Sequence, residues 1–288
     1  MQTLIILGAG QFGRSFVSLV NRNYYQLLAF GDNNSSLWNT NISTALGPVP
    51  VISIEQAADL QPDLILIAVS DQTRSTALMH QATDAGYRNR FLMLPDLYHT
   101  LDIRSATLHR MAERIISRHI DGSIAELGVY QGDIAWQLNA LFPNRELLLF
   151  DTFEGFDKKD ILTEKENNYS KAESKNFSDT SIAYVRNRLP YPDQVSFHQG
   201  YFPQTTRGLA DRPYALVSLD TDLYEPILAG LEYFCPRLST GGMILLHDYN
   251  NAQFRGCKEA VHHYEKHHGA LSLVPLSDLH GTAVIINP

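Results

Sequence analysis

Four short apolar runs in the second half of this chain each stop at a glycine or an acidic residue. They lie in AELGVYQG (residues 125–132), LLLFDTFEGF (147–156), VSLDTDLYE (217–225) and LLHDY (245–249). A continuous apolar run of this length suits a parallel strand buried on both faces. Gly or Asp at its end suits a ligand crevice, because open α/β sheets bind ligands beyond the carboxyl ends of their strands. Four such ends in succession restrict this half of the chain to an α/β sheet with one functional edge.

The remaining alternation extends that reading. Strand patterns at residues 124–127, 147–150, 195–198, 215–219 and 243–246, with helices between them, predict a doubly wound sheet. Residues 271–276 and 282–286 are separated only by SDLHG, too short for a parallel crossover, so an antiparallel pair is expected at the end. At 288 residues the chain has length for about two domains. Residues 3–7, 27–31, 64–69 and 91–94 read as strands and 12–21 and 74–85 as helices, which predicts a small parallel α/β domain over residues 1–100. Residues 33–36 and 47–50 read as turn-rich punctuation within it. An amphipathic helix over 101–119 is expected to bridge to a second domain, 120–288.

Composition excludes several roles. The formal charge of −8 and a pI near 5.7 argue against a nucleic-acid binder, which needs clustered Lys and Arg. Cys235 and Cys257 form no CxxC pair, so no structural disulfide is expected and a cytoplasmic setting fits. No apolar stretch nears the roughly 20 residues of a membrane span, and residues 4–7 are too short for a secretory segment. A soluble protein without membrane contact is expected.

Glu126-x-Gly128-x-x-x-Gly132 reads as a strand-to-helix turn. Glycine lets a ligand approach the backbone, and the helix amino terminus offers N–H groups to a carboxylate such as that of S-adenosylmethionine. A tight turn with incidental glycines is the plainer alternative. Asp151 ends the next strand, where it can accept from two ribose hydroxyls or merely cap a helix. His198 to Phe202 would line the adenine end. Asp220, Asp222, His247 and Asp248 end neighbouring strands and offer hard ligands for Mg²⁺ or a similar cation, which could lower the pKa of a bound hydroxyl; loop caps are the alternative. Residues 154–181 are charged and poor in apolar groups, and read as a lid over the cleft or as a solvated loop.

On these residues the second half resembles the macrocin O-methyltransferase (TylF-like) family of S-adenosylmethionine- and Mg²⁺-dependent sugar O-methyltransferases. LFDTFEGF, GYFPQT, DTDLYEP, PRLSTGGMILLHDY and GCKEAV carry the resemblance, over about residues 120–288. It implies a class I methyltransferase sheet of seven strands with an antiparallel C-terminal strand. It further implies Asp220 and Asp248 as metal ligands and Asp222 as general base, within the expected donor set Asp220, Asp222, His247 and Asp248. Cofactor contacts are implied at Glu126, Gly128 and Asp151, and further ones are expected at Tyr130, Gly132, Thr152, Phe153, Gly200, Tyr201 and Asp220. A small sugar-containing acceptor and a homo-oligomer are expected. The position of His247 is often aspartate in the family, so this residue reads either as a ligand or as a support behind the ligands, and Mg²⁺ and Mn²⁺ are both open.

In the first domain Gly8-x-Gly10-x-x-Gly13 follows a strand and precedes Asp32 at the spacing of a dinucleotide fingerprint. This Rossmann-like domain is similar to the small nucleotide-sugar-binding domain that precedes sugar acetyltransferases. It reads as a nucleotide or nucleotide-sugar holder, a vestigial NAD-type fold, or a structural support. His262, His263, His267 and His268 fall on an expected helix over 256–268 and read as a solvated surface.

Overall fold

The four apolar runs become neighbours in one sheet. The computed structural model describes residues 1–44 and 47–288, and the chain divides into two units, Met1–Asp102 and Ile103–Pro288. The first holds strands β1 (Gln2–Leu7), β2 (Tyr25–Gly31), β3 (Asn41–Thr44), β4 (Gly47–Ile52), β5 (Leu64–Ile67) and β6 (Arg90–Met93). The second holds β7 (Ser123–Leu127), β8 (Leu147–Asp151), β9 (Val195–Gln199), β10 (Tyr214–Leu219), β11 (Leu238–Leu246), β12 (Leu273–Pro275) and β13 (Ala283–Ile286).

The second sheet has the order β12-β13-β11-β10-β7-β8-β9. Strands β7 to β11 pair in parallel, and β13 runs antiparallel to β11. This is the expected doubly wound α/β sheet of the class I methyltransferase fold. Successive residues of each strand face opposite sides, so Leu147 and Leu149 enter one core while Leu148 and Phe150 enter the other. That two-sided burial is why these strands read as unbroken apolar runs. The chain order reverses between β7 and β10, and a crevice opens at that switch point.

The helix Ile103–Ser117, expected as a bridge between domains, packs into the second unit. Leu108, Met111, Ala112 and Ile115 form its buried stripe and share a core with Ile124 and Leu149. An apolar face of that width needs a partner surface, and the sheet supplies it.

The first sheet has the order β3-β4-β2-β1-β5-β6. Its β3–β4 pair is an antiparallel hairpin, where residues 47–50 read as punctuation. Two prolines masked the strand: Pro48 and Pro50 face solvent while Val49 and Val51 are buried, and β2 pairs only with Val51 and Ile52, so both prolines lie where β4 has a ladder neighbour on one side alone. Among the described residues no helix is long and apolar enough to cross a membrane.

Candidate active site

Sheet register sets the candidate residues side by side. Leu127 pairs with Phe150 and with Leu219, and Leu219 with Leu246. The ladder continues one residue further: the Asp220 N–H donates to the Leu127 carbonyl and the His247 N–H to the Leu219 carbonyl, each at 2.9 Å. Gly128, with φ of +88°, is so close to its neighbour that a Cβ there would lie 1.9 Å from the Asp220 carbonyl oxygen. Only glycine permits that approach.

Beyond the strand ends the backbone turns sharply. Tyr130, Phe153, Asp222 and Asp248 have φ of 48°, 55°, 60° and 58°, a region that costs an L-residue roughly 1–2 kcal/mol. Backbone strain of this kind gathers at functional sites, and two of these four residues are candidate donors.

The donor atoms of Asp220, Asp222, His247 and Asp248 all lie within 4.8 Å of one another. His247 Nδ1 is 2.9 Å from Asp220 Oδ1 and 2.8 Å from Asp248 Oδ2. Arg104 holds the other Asp220 oxygen, Nη1 to Oδ2 at 2.8 Å, and Asn251 Nδ2 donates to Asp248 Oδ1. Burial opposes ionisation of Asp220, but His247 and Arg104 outweigh it and hold the carboxyl below the usual range. Burial also opposes charge on His247, yet Asp220 and Asp248 raise the imidazole to about 10. Asp222 moves the other way, pushed well up first by burial and then by its hydrogen bond with Asp248 and the surrounding carboxylates.

These residues fit a divalent cation. Three carboxylates against one guanidinium leave two negative charges. One dication beside a neutral imidazole balances them as well as an imidazolium plus a shared proton does. Adjacent ligands of an octahedral ion bound at about 2.1 Å stand about 3 Å apart, close to the spacing between His247 Nδ1 and its two carboxylates.

A cavity of about 300 Å³ adjoins the cluster. Glu126 on its wall is 1% exposed, and its Oε2 has no hydrogen-bond partner. Burial, and then the Asp220 carboxylate, push its pKa well above the usual range. A buried acceptor without a donor is costly, and a ligand ammonium would satisfy this one. Asp151 Oδ2 accepts from the N–H groups of Val129 (2.6 Å) and Tyr130 (2.9 Å), and Oδ1 from that of Phe153 (2.6 Å). It thereby shapes the glycine loop, and one of its roughly four acceptor positions remains for a ligand hydroxyl.

Residues 154–181 fold over this cavity. Asp157 caps the helix Lys158–Glu166, whose buried face carries Asp160, Ile161 and Glu164. Asp160 accepts from the Tyr201 hydroxyl at 2.7 Å, and burial pushes its carboxyl up to about 6. Glu164 accepts from the Tyr224 N–H at 2.9 Å, at the first turn of the helix Tyr224–Phe234, where a carboxylate complements the helix dipole. Phe177 packs edge-on against Tyr130 and Phe156, with ring centroids 5.1 and 5.4 Å apart. The segment was open to reading as a lid or a solvated loop, because its charged residues mask a helix that buries two acids.

Of the residues singled out from sequence, Glu126, Gly128, Tyr130, Asp151, Thr152, Gly200, Tyr201, Asp220, Asp222 and His247 line the cavity. Gly132 instead starts the helix Asp133–Leu141. Phe153 turns into the core beside Phe197. Asp248 is buried and meets the cluster through His247 and Asp222. Gly8, Gly10, Gly13 and Asp32 belong to the first unit, where Asp32 accepts from the Ala9 and Asn34 N–H groups, both at 2.8 Å. His262, His263, His267 and His268 are exposed on the helix Gly256–His268. Sequence reasoning missed Arg104, Asp160 and His280, all on the cavity wall. Nothing in the local pattern marks Arg104 or His280. The aromatic residues Phe156 and Phe177 within a charged stretch were the available sign of a folded cover.

Residues 52–286 match the family model described as Macrocin-O-methyltransferase (TylF). The chain is 27% identical over 248 residues to 8-demethyl-8-(2,3-dimethoxy-alpha-L-rhamnosyl)-tetracenomycin-C 4'-O-methyltransferase of Streptomyces olivaceus, covering 80% of this chain and 93% of the relative. It is 29% identical over 178 residues to mycinamicin III 3''-O-methyltransferase of Micromonospora griseorubida, covering 58% and 69%. Among solved structures, the O-methyltransferase NovP aligns with a TM-score of 0.53 at 23% identity, over 64% of this chain and 79% of that one. The calicheamicin methyltransferase CalS11 aligns at 0.52 and 20%, over 76% and 94%; these two likenesses concern the fold. With that family model spanning most of its length and a cavity whose walls suit the cofactor, this chain belongs to the macrocin O-methyltransferase (TylF) family and is an S-adenosylmethionine-dependent O-methyltransferase.

Proposed function

We propose that this enzyme methylates a sugar hydroxyl of a glycoside, nucleotide sugar or polysaccharide precursor, with a divalent cation bound at Asp220, Asp222, His247 and Asp248. The observation that carries the reading is one cavity with an unpaired buried carboxyl, Glu126, on its wall and a carboxylate-rich cluster beside it. Support for the acceptor class comes from the Streptomyces olivaceus relative, a 4'-O-methyltransferase of a rhamnosyl-tetracenomycin.

Glu126 pairs with the cofactor's ammonium and Asp151 with a ribose hydroxyl. The cavity excludes water and aligns the acceptor oxygen with the methyl carbon. A new C–O bond forms as the S–CH₃ bond breaks, leaving a neutral thioether, while Asp222 takes the hydroxyl proton as general base. A cation held by Asp220, Asp222, His247 and Asp248 would supply Lewis acidity, which makes a neighbouring hydroxyl easier to deprotonate. Exhaustive chelation should abolish methylation of a rhamnosyl acceptor, and restoring a divalent ion should recover it; turnover undiminished by chelation would remove the metal from the reading.

We further propose that the first unit holds the nucleotide moiety of a sugar nucleotide at Gly8, Gly10, Gly13 and Asp32. Its support is the loop geometry: Gly8 has φ of +101°, and a Cβ on Gly13 would lie 1.9 Å from the Gly8 carbonyl oxygen, the close helix-to-strand approach of a dinucleotide fold. Calorimetry with a UDP-sugar should give binding that Asp32→Ala weakens and Asp151→Ala leaves alone. Absence of heat would rule this out.

A further inference from the structure

We propose that His247 makes the cation site selective for a first-row transition dication, so that Mn²⁺ is held far more tightly than Mg²⁺. This rests on the reading that the cluster binds a divalent ion. Its ground is the donor set. The atom of His247 that meets Asp220 and Asp248 is the ring nitrogen Nδ1, at 2.9 and 2.8 Å, so an ion held by these carboxylates would meet the imidazole as well. The residue is anchored by its main chain: the backbone N–H of His247 is tied to the Leu219 carbonyl, and the His280 ring lies alongside the imidazole with centroids 5.6 Å apart.

The oxygens are rationed at the same time. Arg104 takes Asp220 Oδ2 and Asn251 takes Asp248 Oδ1, so the oxygens that Asp220 and Asp248 turn to the site are the two beside His247 Nδ1. A site so built offers Mg²⁺ a nitrogen where that ion prefers hard oxygen ligands. Imidazole is a good ligand for the first-row transition ions, and carboxylate suits Mn²⁺ as well. The mixed set therefore discriminates by chemistry rather than by charge, since both ions are dications of similar coordination number.

The test titrates metal-stripped, full-length protein with Mn²⁺ alone and with Mg²⁺ alone by calorimetry, for wild type and His247→Asp. Wild type should bind Mn²⁺ at least about a hundredfold more tightly than Mg²⁺, and His247→Asp should narrow that ratio at least about tenfold. Pulsed electron paramagnetic resonance of the Mn²⁺-loaded wild type should show a directly coordinated nitrogen, a readout that needs no variant to fold. A wild-type ratio below about ten, a ratio unchanged in the variant, or Mn²⁺ bound without nitrogen coupling overturns the selectivity while leaving a metal site intact. No binding of either ion overturns the metal reading itself.

Discussion

Asp222→Asn should lower turnover by about 10²- to 10⁴-fold, the usual worth of a positioned general base, while S-adenosylhomocysteine still binds. The expectation follows from where Asp222 sits. Its backbone is left-handed at φ 60°, which aims the carboxylate at the cavity rather than along the sheet. Its carboxyl lines the cavity beside the other acids of the cluster. Glu126 and Asp151, on β7 and β8, are untouched by the change, so cofactor affinity has no reason to fall. Asparagine keeps the shape and a hydrogen bond to Asp248 but cannot take a proton. The loss should appear in kcat rather than in KM, and a variant turning over near the wild-type rate would take the base role away from this residue.

Gly128→Ala should be comparably damaging by a different route. The new Cβ would sit 1.9 Å from the Asp220 carbonyl oxygen and 2.6 Å from its carbon, on a backbone whose φ is +88°. The left-handed conformation costs about 1–2 kcal/mol with a side chain, and relieving a clash with backbone costs a further 1–3 kcal/mol or so. Relief requires β7 and β10 to part at their carboxyl ends, which carry the glycine loop on one side and Asp220 on the other. A loss of about 2–5 kcal/mol in urea unfolding should therefore accompany weaker binding of both S-adenosylhomocysteine and the metal. Gly10→Ala is the control: no atom lies within 4 Å of its Cβ position, and its cost at a helix N-cap should stay below about 1 kcal/mol. Wild-type cofactor affinity in Gly128→Ala would show that the two strand ends are not mechanically joined.

Strand positions and strand-end residues were legible because both are local. Leu147 to Phe150 and Ala215 to Leu219 announce themselves by unbroken apolarity, and the acids that follow stand where a parallel sheet exposes its ligands. The helix Gly256–His268 was read with its observed bounds. Where the reading went astray, local composition pointed away from packing. Pro48 and Pro50 hid β4, and Lys and Glu residues hid the helix Lys158–Glu166. The amphipathic stripe of Ile103–Ser117 was visible, but not the sheet it would cover.

From the sequence alone came the α/β class, the order of strands and helices, and the identities of the groups at the strand ends, because apolar periodicity and turn chemistry act over a few residues. Tertiary structure alone decided that Asp220 would be shared between Arg104 and His247, which lie 116 residues before it and 27 after it in the chain. It also decided that Asp160 would be buried on the cavity wall and Glu164 beside it, and that Glu126 Oε2 would be left without a partner. Those outcomes depend on sheet register and on which polar atoms burial strands, and neither is written in any short stretch of chain.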